Sequence, residues 1–436
     1  MQVLYRDEGK ISEAIVSYEA CLRIDPLSRN AGQNRLLAMN SLVCRPDQSE
    51  AERADMVWQA HRSWGQHFQQ MFDKDRFTEW NYAHQLPDNA AATPAAAAAA
   101  AASSSSSSAA AASSIPLSVS QRRPLRIGYL SADFFTHSVS YFIEAPLTYA
   151  DPSRTHITCY SNVARRDKKT QHLQTLAHAW RPVHELSARQ VAEMMREDRI
   201  DILVELTGHT AGNRLDVLAL KPAPVACTWI GYPNSTGLPT IDYRISDSVV
   251  DPPHTKQQYS EELVRLDGPF LVYTPPSEAP VVAPTPALAK GYVTFGSFNN
   301  LAKVNDRVLQ CWCRILHGVP QSRMLIKCKP FASPTVCAKM WARFGELGID
   351  SDRVDLVSLL PTTSEHLDSY SNVDIAIDTF PYAGTTTTCE ALYCGVPVVS
   401  FCAVEHPNHA HNVGATLLSR IEGMERLIAK SEDEVR

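Results

Sequence analysis

Several common signatures are missing from this sequence of 436 residues. No run of about eighteen apolar residues occurs outside an alanine-rich stretch, so no membrane span is expected. No apolar segment follows the opening MQVLYRDEGK, so no signal peptide is expected. Positive charge is not in excess: 41 Lys and Arg stand against 47 Asp and Glu, a net charge of -6. That balance excludes broad electrostatic capture of nucleic acid or of an anionic membrane, and any anionic ligand must be held locally. The 11 cysteines are an odd, scattered set without a C-x-x-C pair, which fits a reducing compartment rather than a disulfide framework. There is no G-x-G-x-x-G, no G-x-x-x-x-G-K-[ST] and no H-E-x-x-H, so dinucleotide, P-loop and zinc-protease chemistry lose their main support. His406, His409 and His411 cluster in HPNHAH, but no carboxylate or thiolate joins them at fitted spacing, and no metal is expected. These absences predict a soluble protein of the nucleus or cytoplasm.

What is present divides the chain into blocks. Residues 1–30 carry the spacing of a tetratricopeptide repeat, with Tyr5, Gly9, Ala14, Tyr18 and Pro26 at the expected places. One repeat cannot bury its own face, so this block is read as the last repeat of a truncated array. Residues 31–88 show 3.6-residue apolar spacing and predict a helical connector, with His61 packed rather than ligating. Residues 89–121 are dominated by alanine and serine and predict a disordered linker, because such a composition cannot build a core. From residue 122 short apolar strands alternate with helical stretches, an α/β pattern. An N-terminal lobe of residues 122–273, a proline-rich connector at 274–290 and a C-terminal lobe at 291–436, read as incomplete, follow from that alternation.

In open parallel sheets, ligands bind at the carboxyl ends of strands. Asp133 and His137 fall past the first strand of the N-terminal lobe, and His209 falls past another. Tyr232, Asn234, Ser235 and Thr236 follow a third. In the second lobe, Asn299, Asn300 and Lys303 follow FGSF, and His366 sits in PTTSEHLDSY. In DTFPYAGTTTTCEALYCGVP, four threonines lie between a buried strand and the start of a helix. A helix amino terminus offers free N–H groups and a positive dipole end to a phosphate. The alternative is an ordinary N-cap with spare surface threonines.

The segments HSVSYFIEAPL, DILVELTGHTAGN, TWIGYPNSTGLPTIDYR, TFGSFNNLAK and DTFPYAGTTTTCEALYCGVP carry a resemblance. Together they are similar to the nucleocytoplasmic O-GlcNAc transferase and SPINDLY family, and to its SPINDLY branch most. The likeness covers the repeat and nearly everything from Leu125 onward. It implies a GT-B fold, two Rossmann-like lobes behind an all-α repeat segment. It implies an inverting glycosyltransferase that moves a sugar from a nucleotide-sugar to Ser or Thr hydroxyls of nuclear and cytoplasmic proteins, with no cofactor and no essential metal. By position, Thr385, Thr386 and Thr387 would hold the donor diphosphate, and Glu390 the ribose. Asn300 and Lys303 would meet the leaving group, His366 the nucleotide, and His137 the sugar and acceptor. His137 is the implied general base, with Asp198 and His209 behind it. The O-GlcNAc transferases have a histidine where this chain has Asp201, a tyrosine where it has Ala302 and a lysine where it has Thr363. The SPINDLY branch shares those departures and is associated with GDP-fucose, so the resemblance implies GDP-fucose ahead of UDP-GlcNAc. It leaves open a homo-oligomer through the repeats. The rival readings are a catalytically dead interaction protein and a transferase acting on small molecules.

Overall fold

The apolar segments after residue 122 form two separate sheets in the computed structural model, which describes residues 2–45, 47–80, 123–403 and 407–435. The linker at 89–121 and His406 lie outside the described residues. Lobe one contains β1 Leu125–Ser131, β2 Thr155–Ser161, β3 Ala179–Pro182, β4 Ile202–Glu205, β5 Val225–Thr228, β6 Tyr243–Asp247 and β7 Glu262–Leu266, in the order β3-β2-β1-β4-β5-β6-β7. Lobe two contains β8 Thr294–Ser297, β9 Arg323–Lys327, β10 Val354–Val357, β11 Ile375–Ile377, β12 Val398–Phe401 and β13 Ile428–Ala429, in the order β10-β9-β8-β11-β12-β13. All these strand pairs are parallel.

Parallel neighbours need crossover connections, and the crossovers put helices over the sheet faces. The strands are accordingly short and apolar, as in the fully buried core of lobe two around Trp312, Met324, Ile326 and Phe344. Parallel pairing also collects all carboxyl ends of a sheet on one edge. The order reverses between β1 and β4 in lobe one and between β8 and β11 in lobe two, and a crevice opens at each such point.

Among the described residues, four helices precede the lobes: α1 Gln2–Asp7, α2 Ile11–Ile24, α3 Arg29–Met39 and α4 Glu50–Gln70. Ser49 and Glu52 start α4 with a reciprocal capping box. Along α4, Trp64 and Phe68 stack with centroids 4.6 Å apart, and Phe68 enters the core of lobe one with Leu218 and Leu238. His61 is fully buried, its Nδ1 at 2.7 Å from the Val57 carbonyl and its Nε2 at 2.7 Å from the Tyr232 hydroxyl, so it is a packing residue as read. The same interface corrects the reading of the third strand end. Asn40 Nδ2 donates to Tyr232 Oη at 2.9 Å, and Asn234 Nδ2 donates to Asn40 Oδ1 at 3.0 Å. Ser235 Oγ and Thr236 N both donate to the Glu261 carboxylate at 2.7 Å. These polar groups bind the helical segment to lobe one and brace a buried loop.

Backbones meet directly at this interface. A Cβ on Gly65 would lie 1.8 Å from the Gly237 carbonyl oxygen, so α4 cannot keep its place with a larger residue there. Gly65→Ala is expected to cost about 1–3 kcal/mol, the usual range for overpacking. At roughly 2–4 °C per kcal/mol for a domain of this size, calorimetry should show Tm lower by several degrees. An unchanged Tm would show that α4 is not seated on Gly237.

The helix His409–Leu418 of lobe two reaches back to lobe one. His409 Nδ1–H donates to Asp251 Oδ2 at 2.7 Å while its Nε2 accepts from Arg244 Nη2 at 3.1 Å, and Thr416 Oγ1 donates to Asp247 Oδ2 at 2.8 Å. His411 is buried edge-on against Phe401. Two of the three clustered histidines are thus clamp and core groups.

Candidate functional site

A cavity of about 250 Å³ opens between the carboxyl edges of the two sheets. Its lobe-two wall begins where β8 ends. Asn300 Oδ1 accepts from the Ala302 N–H at 3.0 Å and caps a single 3-10 turn, Leu301–Lys303. That turn aims Lys303 at the loop after β11. Lys303 Nζ donates to the Ala383 carbonyl at 2.7 Å and stands 3.9 Å from the Tyr382 ring centroid. Burial pushes its pKa down to about 8, against the pull of the Asp378 carboxylate.

Asp378 ties this loop together. The Asp378 side chain accepts from the N–H of Thr379 at 2.8 Å and of Gly384 at 2.6 Å, from Asn299 Nδ2 at 3.2 Å and from Ser400 Oγ at 3.0 Å. Burial raises its pKa, while these bonds and Lys303 oppose the rise. The helix Thr386–Tyr393 starts directly behind. Thr385 occupies the N-cap without a side-chain capping bond, so its side chain leaves the first-turn N–H groups free to bind elsewhere, at the point where Thr385, Thr386 and Thr387 line the cavity. Thr387 Oγ1 donates to Asn299 Oδ1 at 3.3 Å. Thr385, Thr386, Thr387, Asn300 and Lys303 therefore line one wall.

The facing wall comes from lobe one. His137 caps the helix Ser138–Thr148, its Nδ1 accepting from the Val139 N–H at 3.3 Å. Asp133 Oδ1 lies 3.7 Å from the same nitrogen. Asp133 is buried, and burial raises its pKa. A cation and a helix amino terminus thus confront an imidazole across one cavity, an arrangement suited to a leaving anion on one side and a proton acceptor on the other.

His366 and Glu390 sit beside this cavity rather than on its wall. His366 Nε2 lies 2.9 Å from Glu390 Oε2, and Tyr370 Oη donates to the Thr387 carbonyl at 3.1 Å. Glu390 is on the face of the helix Thr386–Tyr393 one turn after Thr386 and Thr387. Sequence reasoning missed Lys327 and Asp378. The available signal was position alone, a charged residue closing an apolar strand at the carboxyl edge of the sheet.

Several expected positions fall elsewhere. Asp198 follows the helix Ala188–Glu197 and precedes β4, at the amino edge of the sheet. It is bound by Arg181 Nη2 at 2.8 Å and Tyr160 Oη at 2.7 Å, so it cannot serve as a base in the cleft. His209 is buried under α4, edge-on to Trp64 at 4.6 Å, with its Nε2–H donating to the Thr236 carbonyl at 2.8 Å. Burial lowers its pKa to about 3, and it is a core residue rather than a base. Asp201 holds Arg123 at 2.6 and 2.8 Å on the amino edge, away from the donor side. Ala302 packs into the apolar cluster of Ile11, Ala14 and Tyr18, so its small size serves contact with α2 and not the shape of the cavity. Thr363 opens the helix Thr363–Asp368 that carries His366.

A larger cavity, about 740 Å³, lies between the α1–α2 hairpin and lobe two. Of its cations, Lys10 and Lys339 both approach Glu8 (3.0 and 3.5 Å) and Arg343 pairs with Asp306. None of the convergent polar groups described above lines it. Size is therefore no guide to the chemistry here. Among the described residues, no group of three or more His, Cys, Asp or Glu is placed to hold a metal, and no helix is long and apolar enough to cross a membrane.

Comparison with known proteins agrees with this geometry. Residues 110–274 and 283–436 match the model of glycosyl transferase family 41. The chain is 48% identical over 424 residues to "Probable UDP-N-acetylglucosamine--peptide N-acetylglucosaminyltransferase SPINDLY" of Oryza sativa subsp. japonica, covering 96% of this chain and 41% of that protein. It is 49% identical over 416 residues to the protein of the same name in Arabidopsis thaliana, covering 94% of this chain and 40% of that one. The chain thus spans about two fifths of the length of these relatives. An O-GlcNAc transferase of Thermobaculum terrenum superposes with a TM-score of 0.80 at 28% identity, covering 99% of this chain and 73% of the other. The two parallel α/β lobes have the GT-B architecture.

Proposed function

Because the chain belongs to glycosyl transferase family 41, we propose that it transfers a sugar from a nucleotide-sugar to Ser or Thr hydroxyls of nuclear and cytoplasmic proteins, with inversion. The observation that carries this reading is the confrontation of Lys303 and the Thr385–Thr387 helix start with His137 across one cavity. Thr385, Thr386 and Thr387 bind the diphosphate through hydroxyls and first-turn N–H groups. Lys303 neutralises the charge that grows on the diphosphate as the glycosidic C–O bond breaks. Its present contact with a carbonyl holds the ammonium in place before the donor arrives. Asn300 holds the Lys303 turn, Glu390 takes the ribose hydroxyls, and His366 lies beside the nucleotide.

The acceptor hydroxyl attacks the anomeric carbon from the lobe-one side, opposite the departing diphosphate, and a single displacement inverts the centre. Its proton passes to His137. Nδ1 of that ring is occupied by the Val139 N–H, which leaves Nε2 to meet the acceptor. That contact makes Nδ1 the acceptor and leaves the hydrogen on Nε2, so base action requires the ring to switch to the Nδ1–H tautomer, giving up the Val139 N–H and turning Nδ1–H toward Asp133 Oδ1, 3.7 Å away. No divalent metal is required in this scheme, since Lys303 and the helix terminus carry the counter-charge.

GDP-fucose is proposed as the donor, on the greater likeness to the SPINDLY branch. UDP-GlcNAc is the second reading, favoured by the names of the relatives. Incubation with labelled GDP-fucose or UDP-GlcNAc and a protein acceptor, with and without EDTA, tests transfer. Thermal unfolding tests donor choice. GDP-fucose should protect more than UDP-GlcNAc at equal concentration, reaching about 2.7 kcal/mol at a hundredfold excess over Kd. Protection by UDP-GlcNAc alone would make the fucose assignment wrong and leave glycosyl transfer standing. Protection by neither would remove the donor-site reading.

A further inference from the structure

Lys327 is the last residue of β9 and only 3% exposed. Its Nζ is hydrogen-bonded to His366 Nδ1, and it lies 4.8 Å from the centroid of the Phe298 ring. A lysine ammonium has three donors and no acceptor. In that contact Nδ1 of His366 must therefore be the acceptor. The imidazole is then protonated on Nε2, and Nε2–H donates to Glu390 Oε2 at 2.9 Å. Tyr370 Oη lies 3.4 Å from the same carboxylate oxygen, while its one hydrogen goes to the Thr387 carbonyl at the shorter distance of 3.1 Å. One oxygen of Glu390 is thus engaged by the protein, and the carboxylate is turned in a fixed sense beside the threonine loop. Phe298 packs on Tyr370 at 4.3 Å and closes the group from behind.

We infer that Lys327 is a positioning residue for nucleotide binding: through the chain Lys327–His366–Glu390 it selects the His366 tautomer and so orients the carboxylate that receives the ribose. This inference rests on the proposed donor site and names a residue that the sequence reading did not single out. Without Lys327, His366 is free to protonate Nδ1 instead, and its Nε2 lone pair would then face the Glu390 carboxylate. Two acceptors facing each other repel, and the carboxylate turns away.

Nitrogen-resolved NMR of His366 and calorimetric titration with GDP and with UDP test the inference on the same protein. The parent should show Nε2 protonated and Nδ1 accepting a hydrogen bond, and the opposite tautomer in the parent overturns the inference without any variant. Lys327→Met should lose that tautomer preference and bind GDP or UDP at least tenfold more weakly, with kcat at saturating donor within threefold of the parent. Lys327→Arg, which keeps a donor, should recover part of the affinity. Lys327→Met binding nucleotide as well as the parent overturns the inference alone. A parent that binds neither GDP nor UDP overturns the donor-site reading beneath it.

Discussion

Lys303→Met is expected to lower transfer by about two to three orders of magnitude, the usual effect of removing one preorganised charge contact to a developing anion. Tm should change little, because methionine fills a similar volume and a half-buried cation no longer has to be desolvated. Lys303 rests on a carbonyl and an aromatic face, and among the described residues no carboxylate lies within salt-bridge distance of it, so its charge remains available to a ligand. The pH dependence follows from its environment. Burial holds the pKa at about 8 in the folded chain against 10.5 for a free lysine. Above pH 8 the free enzyme loses the ammonium, and kcat/KM should fall. Between pH 8 and 10.5 the unfolded chain still binds this proton while the folded chain does not, so the contribution of Lys303 to stability rises with pH. Activity and this part of stability therefore move in opposite directions. Steady-state rates across pH 6.5–9.5 check the first, and transfer by Lys303→Met within a few-fold of the parent would remove the assigned role.

Gly384→Ala should weaken donor binding and slow transfer together, by about a hundredfold in kcat/KM, the scale of loss for a misplacement near 1 Å. An added Cβ would stand 2.6 Å from Thr387 Oγ1, 2.7 Å from Thr388 Oγ1 and 3.1 Å from Asp378 Oδ1. Three oxygens that define the loop would have to move, and the Gly384 N–H bond to Asp378 moves with them. Because Ala383 supplies the carbonyl that holds Lys303, the cation would shift too. Both kinetic parameters should change, which distinguishes this substitution from Lys327→Met. Parent-like kinetics would show that the loop accommodates a methyl group and is not the rigid cradle described here.

The sequence by itself determined the two-lobed α/β plan, because short β-branched runs separated by helical stretches leave few alternatives to parallel sheets. It determined that the polar groups after β1, β8 and β11 gather at one edge, since parallel strands must end together. His137, Asn300, Lys303 and the threonine loop were legible for that reason. Tertiary structure decided what local pattern could not express. Asp198 and His209 sit near strand ends in the chain, yet one lies on the opposite edge and the other under α4. Burial direction and edge are properties of the assembled sheet, and a residue's neighbours in sequence do not carry them. Ala302 looked like a change in the donor pocket and is a contact with α2, because the turn that carries Lys303 has two sides. Lys327 stayed hidden because its partners, His366 and Glu390, lie 39 and 63 residues away in the chain and meet it only when β9 and the Thr386–Tyr393 helix pack against one another.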